Sequence, residues 1–322
     1  MAGLKSLAKD TALYGISSII GRFLNYLLVP IYAAAMSTAS GGYGIITEVY
    51  AWTALLMVIL TYGMETTFFR FVNKGTEEPE KVYSTVLIMV GSTSLLFVIC
   101  CMLFLHPIAV ILGYADHPWY VGTMLLVVAM DAFQCIPFAY LRYKKRPIKF
   151  VALKMFFIVL NIALNLIYYL IIGGSNVFYA FLFNLICTSI VMILLIPDLK
   201  FRGGFDKVLA KKMLNYSYPI LILGVAGILN QVADKIMFRH IYPDPAGAKT
   251  QLSIYSACSK IAMIMAMLTQ AFRYAYEPFV FGESRDKDNK VIYAKAMKYF
   301  IIFTLLAFLA VMFYLDLLKY IL

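Results

Sequence analysis

Residues 11–36 read TALYGISSIIGRFLNYLLVPIYAAAM. At about 1.5 Å of rise per residue, a helix of that length reaches across a hydrocarbon core of about 30 Å. Arg22 sits near its middle. A guanidinium at bilayer depth costs roughly 2.5 to 3.5 kcal/mol on insertion scales, so it is expected to face a bundle interior or a wet cavity. Gly15, Ser18, Arg22 and Asn25 recur at helical spacing and form one small, polar stripe, whereas Ile19, Ile20, Phe23, Leu24 and Leu27 cover the remaining surface. The stretch predicts a membrane bundle built around a polar interior.

Composition agrees. Hydrophobic residues make up 62% of the chain and charged residues 14%, with a mean hydropathy of +0.82. Soluble domains lie near ~45–50% apolar, so a soluble globule is excluded and a polytopic, all-α membrane protein is expected. The net charge of +11 is scattered in short basic blocks between apolar runs. No nucleic-acid partner is therefore expected. Cys100, Cys101, Cys135, Cys187 and Cys258 fall inside apolar runs without the paired spacing of zinc ligands or of a disulfide framework. His106, His117 and His240 are expected at interfaces; no metal and no cofactor is expected. Lys5 and Lys9 ahead of the first apolar run mimic a signal peptide, but the run exceeds an h-region of about 7–15 residues and holds Arg22 and Asn25. It is expected to be an uncleaved first span.

Apolar windows predict about nine helices: 11–36, 43–64, 82–106, 119–141, 150–172, 176–196, 214–240, 252–274 and 297–320. Basic residues gather in alternate links. Arg70, Lys74 and Lys81 follow the second helix, and Arg142, Lys144, Lys145, Arg146 and Lys149 follow the fourth. Lys200, Arg202, Lys207, Lys211 and Lys212 follow the sixth, and Arg273, Arg285, Lys287, Lys290, Lys295 and Lys298 follow the eighth. The other links hold only Arg239 and Lys249, with Lys319 at the far terminus. The positive-inside rule then places the N-terminus in the cytoplasm. Links on the bare side are short, which argues against an outer catalytic domain, and no GxxxxGK[ST] loop occurs. The chain is not expected to be an enzyme.

Sliding Tyr43–Phe71 onto the stretch from Tyr255 pairs Tyr43 with Tyr255, Ala54 with Ala266, Leu56 with Leu268, Tyr62 with Tyr274, Glu65 with Glu277 and Phe69 with Phe281. Helices one and two would then repeat as helices seven and eight in the same orientation, as in two lobes related about the membrane normal. This predicts a six-helix N-terminal lobe over 1–200 and an incomplete second lobe over 201–322.

GGYGIITEVYAWTALLMVILTYGMETTFFRF from Gly41, the polar-striped helix before it, and LNYSYPILILGVAGILNQVADKIMFRH from Leu214 resemble the polysaccharide (oligosaccharide) flippases of the multidrug/oligosaccharidyl-lipid/polysaccharide exporter superfamily. The likeness extends over essentially the whole chain. It implies two six-helix lobes around a central cavity that carries a polyprenyl-diphosphate-linked saccharide from the cytoplasmic to the periplasmic leaflet of a bacterial inner membrane. Cell-surface polysaccharide such as lipopolysaccharide would be the product, with polysaccharide polymerases as partners. Against that plan the chain is expected to be C-terminally truncated, lacking helices ten to twelve.

Ionisable residues inside the spans are the candidate functional groups. Arg22, Asn25, Asn230, Lys235 and Lys260 are expected to meet substrate, because a diphosphate needs fixed cations where water is scarce and arginine offers a planar fork. Glu48, Asp131 and Asp234 are candidate coupling groups. Glu65 with Arg70 and Arg273 with Glu277 are expected to pair locally as gates at the inner mouth. Lys154, one turn from the edge, is expected to snorkel to headgroups. The stripe Gly224, Gly227, Asn230, Asp234 is expected to face the same space as that of helix one. A cation-coupled multidrug exporter of the same superfamily is the alternative, for which cavity carboxylates should dominate; a membrane glycosyltransferase or ligase is a further alternative.

Orientation is open to a direct check. Ser40→Cys or Ser175→Cys in a cysteine-free background is expected to react with an impermeant maleimide on intact spheroplasts, and Lys145→Cys or Lys287→Cys only after permeabilisation. The reverse labelling pattern overturns the assignment.

Overall fold

The computed structural model describes residues 28–36, 42–75, 77–201, 203–244, 247–259, 262, 265 and 289–315. All regular secondary structure among these residues is helical. In order come α1 (Leu28–Ala35), α2 (Gly42–Thr61), α3 (Met64–Lys74), α4 (Pro79–Leu103), α5 (Leu105–Ile111), α6 (Pro118–Tyr143), α7 (Pro147–Leu166), α8 (Phe178–Leu195), α9 (Lys207–Ile241) and α10 (Asn289–Phe313). A π-helical turn at Ile167–Ile171 extends α7, a 3₁₀ turn at Ile196–Asp198 closes α8, and residues 248–259 are also helical. Six helices among the described residues are long and apolar enough to cross a membrane, and Met297–Phe313 forms a shorter apolar one. The protein is an all-α polytopic membrane protein. The first and eighth expected spans lie largely outside the described residues.

Local chemistry sets the ends. Proline occupies the opening turn of α4, α6 and α7, where its missing N–H forfeits no helical bond. Gly75, at φ +70°, ends α3 in the left-handed conformation. Asp206 caps α9, its Oδ1 accepting the N–H groups of Val208 (2.8 Å) and Leu209 (3.0 Å). Several helices overrun the apolar windows. The second continues through a left-handed Gly63 into α3 and ends at Lys74, α9 begins at Lys207 rather than 214, and α10 begins at Asn289 rather than 297. Hydropathy marks where lipid begins, whereas a helix persists as long as its backbone bonds and caps allow. The loop expected after the third span carries the short α5.

α6 is the central column: 72% of its most apolar stretch is buried, against 6% for α9. At the end of the bundle where basic residues collect, Met64, Phe68, Tyr83, Val86, Leu87, Ile136 and Tyr140 form one core, joined by Leu209, Ala210 and Met213 of α9. Tyr83 stacks on Tyr140 at 4.0 Å and donates its hydroxyl to the Asp198 carbonyl (2.9 Å). At the bare end, Leu28, Tyr32, Tyr43, Ile46, Tyr120, Met124 and Phe181 form another.

α9 is held to α2 and α3 by close approach. A Cβ on Gly63 would lie 2.7 Å from Ile220 Cγ2, and one on Gly224 would lie 2.9 Å from Val58 Cγ1. At the basic end Arg70 lies 3.9 Å over the Tyr216 ring, Lys212 pairs with Glu77 (3.6 Å) and Lys81 with Asp206 (2.7 Å). The Lys81 ammonium, with the two cap N–H groups, holds the Asp206 carboxyl down at about 2. That carboxyl therefore stays ionised well below its ordinary value of 3.8, and the pair is lost only as pH falls towards 2. At the bare end the Gly44 N–H donates to Ser253 Oγ (2.7 Å), tying 248–259 to the start of α2.

Gly63 carries two costs, and they separate by mutation. Gly63→Ala is expected to lose roughly 1–2 kcal/mol for a left-handed non-glycine residue and more for the overlap with Ile220. Gly75→Ala, at nearly the same φ but with nothing within 4 Å, should lose the backbone cost alone. Thermal unfolding in detergent checks this: equal losses at the two sites would remove the Gly63–Ile220 approach as a source of stability.

Candidate functional site

Between α1, α2, α7, α8 and α9 lies a cavity of about 350 Å³. α2 lines it with Tyr43, Ile46, Thr47, Tyr50 and Ala51, a single helical face. α1 adds Leu28, Val29 and Tyr32, α7 adds Phe157 and Asn161, α8 adds Asn184, and α9 adds Val232 and Lys235. Lys235 is the charged side chain of this lining among the described residues.

Neutral polar groups shape the walls. Tyr32 donates its hydroxyl to Asn165 Oδ1 (2.8 Å), and Asn165 Nδ2 donates to the carbonyl (2.8 Å) and Oδ1 (2.6 Å) of Asn161. This chain fixes which way the Asn161 carboxamide turns. Across the cavity, Asn184 Nδ2 donates to the Tyr50 hydroxyl oxygen (2.7 Å), which leaves the Tyr50 O–H proton as a donor. Thr188 Oγ1 stands 3.4 Å from Asn184 Oδ1 and 3.3 Å from Asp131 Oδ1; its single proton serves one of them at a time. Gln134 Nε2 donates to the Thr188 carbonyl (3.0 Å). Polar side chains thus lead from the cavity wall towards a half-buried carboxylate on α6, with Thr188 bonding to one side at a time.

The structure distributes the expected site residues unevenly. Lys235 lines the cavity, while Asn230 is exposed on α9 and is not among the lining groups. The expected Gly224–Asp234 stripe does not form the cavity face of α9: Val232 and Lys235 do, and Gly224 packs on Val58 instead. Asp234, about 100° from Lys235 around the helix, accepts the Tyr255 hydroxyl (2.7 Å), and Tyr255 stacks on Phe238 at 5.5 Å. Glu48 is buried and accepts the Tyr114 hydroxyl (2.6 Å), with Lys249 Nζ 5.4 Å from the Tyr114 ring.

The local Glu65–Arg70 pair does not form. Five residues apart, the two side chains point about 140° from each other on α3. Glu65 pairs instead with Arg142 of α6, and Arg70 with the ring of Tyr216. Lys154 places its Nζ 4.1 Å over the Phe138 ring. Arg22, Asn25, Lys260, Arg273 and Glu277 lie outside the described residues. Among the described residues, no cluster of three His, Cys, Asp or Glu has the arrangement of a metal site.

Tyr32, Tyr43, Tyr50, Asn161, Asn165, Asn184 and Thr188 were missed by a reading that weighed charges. Their signal was present: Asn161/Asn165 and Asn184/Thr188 are i, i+4 polar pairs inside apolar helices, where an unpartnered carboxamide is costly.

The described helices form a membrane bundle with a cavity of mixed apolar and polar lining between them. The chain belongs to the polysaccharide biosynthesis protein family, whose model matches residues 7–275. Its fold is similar to that of an inward-facing multidrug resistance MATE family transporter of the MOP superfamily, at 14% identity over 92% of this chain and 71% of that one, with a TM-score of 0.69. It is also similar to a MOP superfamily transporter from Pyrococcus furiosus described by the reverse polarity of its binding pocket (15% identity, 99% and 76% covered, TM-score 0.65). The MATE multidrug transporter DinF-BH, solved as a complex, is a further likeness (18% identity, 84% and 64% covered, TM-score 0.62). No curated protein matches the sequence. The protein is thus a polytopic membrane protein of the polysaccharide biosynthesis family, with a fold similar to that of these transporters.

The cavity wall makes an ordered prediction about stability. Tyr32→Phe removes one donor to Asn165 and is expected to cost about 1 kcal/mol. Asn165→Leu strips both Tyr32 and Asn161 of their partner and should cost more. Thermal unfolding in detergent reads both, and an Asn165→Leu protein as stable as the parent would show that the chain is not structural.

Proposed function

We propose that the protein flips a lipid-linked, diphosphate-bearing saccharide between leaflets by alternating access of two lobes, 1–200 and 201–322. The observation that carries this reading is the cavity: tyrosine hydroxyls and two carboxamides beside the Lys235 ammonium. Such a lining suits a ligand that is rich in hydroxyls and anionic at one end. Membership of the polysaccharide biosynthesis family supports the substrate class. The polyprenyl tail stays in lipid, so the cavity has only to shelter the polar end. Binding and translocation need no bond making, and no enzymatic step is assigned.

Lys235 receives the diphosphate in this scheme, with Arg22, Asn25, Asn230 and Lys260 meeting it along the path. Glu65, Arg70, Arg273 and Glu277 act as gates. The basic end faces the cytoplasm of a bacterial inner membrane, with the N-terminus on that side. Polysaccharide polymerases are the expected partners.

One observation favours a second reading, cation-coupled multidrug export: the route Tyr50–Asn184–Thr188–Asp131 connects the cavity to a carboxylate. Glu48 and Asp234 would be further coupling groups. Fold similarity to MATE transporters fits this reading as well.

Reconstituted flipping separates the two. Charged hydrogen bonds contribute about 1.5–3 kcal/mol each, so Lys235→Ala is expected to slow flipping of a lipid-diphosphate saccharide by about tenfold or more, with partial rescue in Lys235→Arg. Arg22→Ala should abolish flipping at unchanged protein abundance. Normal flipping by both variants, combined with loss of cationic-dye export in Asp131→Asn, would replace the flippase reading with the exporter.

A further inference from the structure

We propose that the first two turns of α9 form a binding site for the phosphate headgroup of an anionic phospholipid. Leu209, Ala210, Met213 and Ser217 turn inward and are buried. The opposite surface carries Lys207, Lys211 and Asn215, stacked one turn apart, with Val208 and Lys212 alongside. These five side chains line an open depression of about 370 Å³.

Three ammonium groups converge here with little to neutralise them. Lys212 reaches Glu77 at 3.6 Å, and the nearest carboxylate in sequence, Asp206, is taken by Lys81 and by the two N–H groups it caps. Among the described residues, neither Lys207 nor Lys211 has a carboxylate within 4.0 Å. A phosphodiester supplies what the site lacks: a compact negative charge with acceptor oxygens and no need for a fixed geometry, which suits lysine.

The surroundings point to a lipid rather than a soluble anion. Phe201 and Phe205 precede the lysines and Val208 and Leu214 lie among and after them, all four exposed. Lysine heads beside uncovered aromatic and aliphatic side chains match a headgroup above and acyl chains below. The depression is separate from the transport cavity, shares no lining residue with it, and is assigned independently of any substrate.

The test is lipid retention. Full-length protein would be placed in nanodiscs of phosphatidylcholine with a minor fraction of phosphatidylglycerol, extracted, and its retained lipid identified by mass spectrometry. Selective retention of phosphatidylglycerol is expected. Lys207→Gln/Lys211→Gln should weaken it by about tenfold or more, since each lysine at an anionic surface acts with roughly fivefold effect. Lys144→Gln/Lys145→Gln, which removes the same charge from another link at the same end, should retain it. Equal loss in both variants would mean general charge attraction, and no loss in the first would mean another site; either overturns the proposal. Displacement of the retained lipid by inorganic pyrophosphate would overturn the lipid assignment. Flipping activity enters none of these readouts, so failure here leaves the transport reading untouched.

Discussion

An apolar side chain that leaves lipid tails for a neighbouring helix gains little, because the tails are as apolar as leucine. Helix association in this bundle therefore rests on close backbone approach and on pairing most of the buried polar groups. Gly63, Gly224 and Gly44 let α9 and the 248–259 helix come close to α2 and α3, closer than a Cβ would permit. The same constraint explains the side chains between them. Asn165 is fully buried and spends its donor and acceptor on Asn161 and Tyr32, and Glu48 is engaged by Tyr114.

The two ends of the bundle are tied by different chemistry. Ion pairs and a cation–π contact hold the start of α9 at the basic end, and hydrogen bonds from Gly44 and to Glu48 hold the bare end. Exposed ion pairs contribute about 0–1 kcal/mol each. Ties of that size position a helix without locking it in place. The low-lying Asp206 carboxyl makes the Lys81–Asp206 pair insensitive to acidification over the ordinary carboxylate range.

The cavity shows how a membrane protein makes a polar surface cheaply. Carboxamides and hydroxyls avoid the desolvation of a buried charge, yet they hold donors and acceptors in fixed directions. Placing Lys235 among them concentrates positive charge at a single point. Thr188, within reach of both Asn184 and Asp131, lies between this surface and a carboxylate one layer out.

By itself, the sequence determined the class. Apolar windows located α2, α4, α6, α7 and α8 within a few residues, and α9 apart from its first two turns, because the thickness of hydrocarbon acts on each helix separately. The adjacency of Asp234 and Lys235 already meant divergent directions, and the two do reach different surroundings. Tertiary structure decided the partners. Glu65 found Arg142 rather than Arg70, Lys154 found Phe138, and the cavity was walled by Tyr50, Asn161 and Asn184, which bear no charge. Periodicity tells which residues share a helix face; which face meets which neighbour depends on how helices distant in sequence cross, and that is set by small residues such as Gly63 and Gly224 at contacts no local pattern encodes.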